Sequence, residues 1–260
     1  MNKLKGTLVL LVLLVMIMPV NAQIHDPRAL AADPTEADGP IAPVLEGLGD
    51  YHFPVTTQNL KSQQFIDQGL RLTYAFNHSE ALRAFKEAAR LDPNNAMAYW
   101  GWALVLGPNL NLPMMPEVVP QSYQAIQRAL ALMDRVSQRE RDYIEALAKR
   151  YTSDPETDRK PLDLAYANAM KELSVRYPDD LDAATLYAAA LMNLNPWNYW
   201  NLDGSANKNT EVVLEVLESV EQHNGKHVGA LHYYIHAVEA RHPERGEAFA
   251  DKLVGLMPGA

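Results

Sequence analysis

The chain contains no cysteine in 260 residues. That absence excludes disulfide cross-links, thiol chemistry, cysteine-ligated zinc and a lipid-modified N-terminal cysteine. No segment alternates apolar and polar residues with the period of two that marks a half-buried strand. Also missing are a glycine-rich phosphate loop, a nucleophile elbow and a basic strip interleaved with aromatics. Positive charge is in short supply: 23 Lys and Arg stand against 32 Asp and Glu, a formal net charge of −9. An acidic surface repels phosphate backbones, which argues against nucleic acid as the partner. No acids are set apart by their spacing, so no catalytic residue is assigned. What is present is ample apolar material, 48% of residues against 21% charged, enough for a sizeable core.

The N-terminus reads as an address. Lys3 and Lys5 make a short basic start, residues 8–18 an almost unbroken apolar run, and Val20-Asn21-Ala22 the small-x-small triplet that a signal peptidase reads. The apolar run is shorter than the roughly 20 residues a spanning helix needs, and Pro19 leads into the triplet. Residues 1–22 are therefore expected to be a cleaved signal peptide, leaving a periplasmic or secreted chain with no stable membrane span. Losing Lys3 and Lys5 takes the charge from −9 to −11.

Residues 23–58 carry Pro27, Pro34, Pro40, Pro43 and Pro54 and little helical periodicity, which predicts an extended arm lying along the first helices. From residue 59 to 260, alanine, leucine and aromatic residues recur at helical spacing, with breaks about every 15 residues at Pro, Asn, Asp or Gly. This is the pattern of an all-α domain of about ten helices.

One segment defines a repeat. Ala81 follows Gly69 by twelve residues, and Phe85, Ala88 and Pro93 follow at steps of four, three and five. Gly69 and Ala81 then fall where two antiparallel helices cross and only small side chains let the backbones close, Phe85 fills the gap beside them, and Asp92-Pro93 ends the second helix. This signature resembles the tetratricopeptide repeat. The resemblance implies helix pairs stacked into a right-handed superhelical solenoid with a concave groove. A second unit opens at Ala96, a helix begins at the capping-box sequence Ser137-Gln-Arg-Glu140, a third unit runs through Leu164, a further helix starts at Thr210, and a last unit opens near His227 and closes at Met257-Pro258. Leu253, Val254, Leu256 and Met257 do not make the polar cap that a solenoid end needs, so the domain is expected to continue in a longer chain.

Three stretches exceed what a plain repeat requires. Residues 107–116 and 195–204 are insertions at equivalent places in their units and should project from one edge, where loops on a rigid scaffold commonly bind. Asn109, Trp197, Tyr199 and Trp200 are the partner-binding candidates, although an aromatic cluster such as Trp197-Asn-Tyr-Trp200 also serves to bury an insertion. Met114-Met115 is either a soft copper contact or a gap-filling pair. The third stretch is the helix with His232, His236 and Glu239. Histidines at i and i+4 share one face and can hold one divalent transition-metal ion, zinc or copper. Glu239 lies too far along the helix to join both easily, and stands either as a further ligand or as an outer acceptor fixing a tautomer. The competing role for both histidines is that of core groups bonded to tyrosines or loop carbonyls. Tyr233 occupies the place of the general-base Glu, so the metalloprotease pattern is absent.

Beyond the generic repeat, the chain resembles a bacterial family of exported tetratricopeptide-repeat proteins. The likeness is carried by Phe65-Ile-Asp-Gln-Gly69, Tyr74-Ala-Phe-Asn-His78, Ala98-Tyr-Trp-Gly-Trp102, Leu106-Gly-Pro-Asn109, Asn195-Pro-Trp197 and His232-Tyr-Tyr-Ile-His-Ala-Val-Glu239. Similar proteins run on past a Pro-Gly-Ala like that at 258–260 into another histidine-rich segment. Arg241-His242 departs from the small residue usual after the helix. The resemblance implies a fold and no particular activity. The first expectation for function is a non-enzymatic scaffold taking a peptide or protein partner in the groove; the alternative is a metal-binding protein or metal-dependent enzyme using His232 and His236.

Overall fold

Helix boundaries in this protein follow local start and stop chemistry. The structure, a computed structural model, describes residues 38–260; the expected signal peptide and residues 23–37 of the arm lie outside the described residues. Among the described residues ten α-helices follow one another: α1 Leu60–Tyr74, α2 His78–Leu91, α3 Ala96–Leu106, α4 Val119–Ala131, α5 Gln138–Ala148, α6 Arg159–Arg176, α7 Leu181–Met192, α8 Thr210–His223, α9 Val228–Val238 and α10 Pro243–Val254. Short 3-10 turns stand at Pro116–Val118 and Met133–Arg135. Among the described residues there is no strand, only an isolated bridge between Trp200 and Ala206. Asn59, Asn95, Asp158 and Asp180 cap the starts of α1, α3, α6 and α7 with side-chain oxygens, satisfying amides that a helix leaves unpaired. The Ser137–Glu140 capping box forms in full. No helix among the described residues is long and apolar enough to cross a membrane.

Each helix packs on the next in chain order, and alternate helices meet as well: α1 with α3, α3 with α5, α7 with α9. That is consistent with stacked helix pairs in which the odd-numbered helices face inward. Ala81, Phe85 and Ala88 are fully buried, and a Cβ on Gly69 would sit 2.7 Å from the Phe85 ring. Gly101 on α3 closes on the same ring atoms, so Phe85 locks α1, α2 and α3 together.

Two features go beyond an open stack. First, α9 returns to pack on α1, so the inner helices turn back on themselves. Second, the arm reaches past the first helices to α5 and α7 and buries Ala42, Leu48 and Phe53. Its main chain is held by side chains: Gln68 accepts from Leu45 N and donates to Pro43 O, and Gln63 accepts from Val55 N and donates to Phe53 O. Arg71 donates to Tyr51 O, Asp67 accepts from Phe53 N, and Glu140 on α5 accepts from Thr56 N. Phe53 stacks on Trp100 of α3 and meets Tyr143 of α5 edge-on. With partners on both sides, α3 has no solvent face: all eleven of its residues are buried, as an all-round apolar sequence demands. The tail after α10 closes on the arm, where Gly259 N donates to Gly47 O at 2.9 Å. Gly49 has φ +76°, and a Cβ there would lie 2.5 Å from Leu256 O, so both backbone sign and space require glycine.

Candidate functional site

The interior is organised around one carboxylate. Asp182, in the first turn of α7, accepts from Tyr51 of the arm at 2.5 Å and from Tyr74 of α1 at 2.6 Å, with His227 Nε2 at 3.2 Å, all on the same oxygen. His227 caps α9 by accepting from Ala230 N through Nδ1, which leaves Nε2 as the proton-bearing donor to Asp182. Burial raises the Asp182 pKa, but the hydrogen bond and charge of His227 and the bonds from Tyr51 and Tyr74 outweigh it and leave the carboxyl below its ordinary value. Burial, followed by the charge of Asp182, pushes the Tyr51 and Tyr74 hydroxyls well above theirs, so they stay protonated donors. Every polar group here has a partner.

The rim is different. On α9, His232 and His236 present their Nε2 atoms to each other at 3.0 Å. Each Nδ1 is engaged elsewhere: His232 with the Tyr74 carbonyl at 2.6 Å, His236 with Glu239 Oε1 at 2.8 Å. Burial lowers the His232 pKa, with His236 acting in the same direction and the Tyr74 carbonyl against it. Phe76 lies over the pair, stacked on His236 with ring centres 5.3 Å apart and 4.4 Å from His232. Trp197 approaches His236 edge-on at 5.4 Å. Both walls hold unusual backbone: Phe76 has φ +60° and Trp197 φ +62°, a region that costs a bulky residue about 1–2 kcal/mol. Phe76 follows the end of α1, where Asn77 N bonds to Leu72 O and Phe76 N to Thr73 O. That helix ending usually takes glycine; here the position puts an aromatic ring on two imidazoles.

The first insertion is tied to the end of α7, just before the second, where Asn193 donates to Pro108 O at 3.3 Å. Arg150, buried and paired with Asp163, donates to the same carbonyl. A cavity of about 380 Å³ opens between residues 76–79 and the first insertion, lined by Phe76, Asn77, His78, Asn109, Asn111 and Met115 among others. The four partner-binding candidates fare unequally. Asn109 uses its side chain within its own turn, accepting from Asn111 N and Leu112 N. Tyr199 is buried, and Trp200 donates to Ala237 O and meets His242 edge-on, fastening the insertion to α9. Trp197 alone of the four is an exposed large apolar side chain, at 46%. Met114 packs against the core while Met115 lines the cavity.

Glu239 takes the outer position, on the His236 nitrogen turned away from His232. Tyr233 and Tyr234 are not the partners of the two histidines; Tyr234 donates to Glu218. Among the described residues, no group of three histidine, aspartate or glutamate side chains is gathered in a way that could hold an ion. Sequence reasoning missed Asp182, Tyr51 and Tyr74. The only signal was Tyr51-His-Phe53, two aromatics on one side of an extended strand-like segment. Comparison of the chain with protein-family models, curated proteins and solved structures finds no match.

Proposed function

We propose that the protein is a binding scaffold that reads extended polypeptide on the inward faces of its odd-numbered helices, with its own arm as the resident occupant. The observation that supports this is the way the arm is held. Successive main-chain groups go to side chains of α1 and α5 and not to a sheet edge. A carboxamide such as Gln63 or Gln68 carries both a donor and an acceptor, so it reads the N–H and C=O of an extended chain whatever its side chains. Tyr51 and Phe53 then provide the anchors, in a segment of the form aromatic-x-aromatic-proline. A tether gives the arm an effective concentration in the millimolar range, so a protein or peptide partner needs equal anchors or an arm already drawn out.

A chain beginning at residue 58, mixed with a labelled peptide of residues 38–57, tests this by fluorescence anisotropy. The expected result is saturable one-to-one binding, weakened at least tenfold by Asp67→Ala. A truncated chain that neither binds the peptide nor regains helicity with it would reduce the arm to a piece of the core and overturn the reading.

A further inference from the structure

We propose that His232 and His236 form a two-imidazole site for a divalent transition-metal ion, bound through both Nε2 atoms. The argument starts from proton counting. The partner of His232 Nδ1 is a backbone carbonyl and that of His236 Nδ1 is a carboxylate oxygen. Neither carries a proton, so each Nδ1 carries its ring's N–H. In the neutral rings both Nε2 atoms then carry lone pairs, 3.0 Å apart, with the ring centres 4.7 Å apart and the ring axes tilted off the line between the nitrogens. Two acceptors so placed repel unless a cation lies between them. A metal ion at the usual His–metal distance of about 2.05 Å from each nitrogen subtends an angle of roughly 95° across the 3.0 Å gap, which suits the cis positions of a square-planar or octahedral ion and needs a few tenths of an ångström of opening for a tetrahedral one.

The outer shell is already built. Metal-ligating histidines hand their second N–H to a carboxylate or backbone carbonyl, which fixes tautomer and ring orientation; Glu239 and Tyr74 do this here, one for each ring. Phe76 and Trp197 flank the imidazoles and limit their swing. Since no third protein ligand stands with them among the described residues, the remaining coordination positions are open to water or an external ligand. Imidazole donors of this kind favour late first-row ions, copper(II) above zinc and nickel.

Zinc titration of chelator-treated protein by calorimetry, read against the double variant His232→Ala/His236→Ala, tests the site. The expected outcome is one ion per chain, with affinity falling at least tenfold in either single variant, roughly tenfold in Glu239→Gln, and not at all in His52→Ala. Nitrogen-15 NMR of the unaltered protein gives an independent reading that survives any folding defect in the variants: zinc should shift both Nε2 resonances while both Nδ1 stay protonated. Equal zinc affinity in the double variant, or a proton retained between the two Nε2 atoms at saturating zinc, would overturn the proposal and leave a proton-sharing histidine pair.

Discussion

The centre of the helix stack and its rim use similar residue types to opposite ends. At the centre three donors converge on one acceptor, Asp182, and aromatic faces close around them. At the rim two imidazole nitrogens face each other at 3.0 Å, both acceptors in the tautomers proposed above, with the aromatic walls held in costly backbone conformations. A buried polar cluster with its charge matched holds elements together, whereas one with a surplus of lone pairs has capacity left for something else. The contrast lies in the balance of donors and acceptors and not in residue identity, since both clusters contain histidine and a carboxylate, and it is what motivates the metal proposal at the rim.

The contrast can be broken most directly at Asp182. Asp182→Ala strands two buried hydroxyls and the His227 imidazole, and should cost about 3–5 kcal/mol in urea unfolding; a loss below 1 kcal/mol would mean the centre is not what joins arm to helix stack. The sign with pH follows from the same group. Its folded pKa lies below the unfolded one, so its contribution is present above the ordinary carboxylate range and is lost as pH falls through the folded value. Asp180 runs the other way, its pKa raised by burial and then by the charge of Asp182. The clean comparison is therefore between proteins: the original should lose more stability on acidification than Asp182→Asn. Phe76→Gly should come next, at about 1 kcal/mol or less, because relief of the backbone offsets part of the lost ring packing. His236→Ala should matter least, within about 0.5 kcal/mol in metal-free protein, since it removes a facing lone pair from a rim position. A large loss there in thermal melts would mean that the histidine pair is itself a structural clamp.

The helices were legible because their causes are local. The Ser137 capping box and the steps from Gly69 to Pro93 act within one or two turns, and helices form where those signals stand. The two insertions were legible as interruptions of a period, and the histidine pair as a spacing of four. What the sequence did not disclose depends on partners far along the chain. Nothing local in Leu181-Asp182 distinguishes a keystone carboxylate from an ordinary acid in a first helical turn. Gly101 looks dispensable until Phe85, sixteen residues earlier, is seen lying against it. The arm carried proline and polar signals that say only where helix is absent, and its destination was set by complementary side chains on α1, α5 and α7.

The return of α9 to α1 also bears on how the molecule comes apart. In a linear array of repeats, each touching its neighbours alone, the ends can fray one unit at a time and folding can nucleate anywhere. Here the contact between His232 and Tyr74 spans 158 residues, and Tyr51 reaches 131 residues ahead to Asp182. Neither terminal pair can peel away without opening that closure, so the array gives up its piecewise character and gains an all-or-none one. The cost falls on the folding rate, because contacts this distant form only after the entropy of closing the intervening chain has been met.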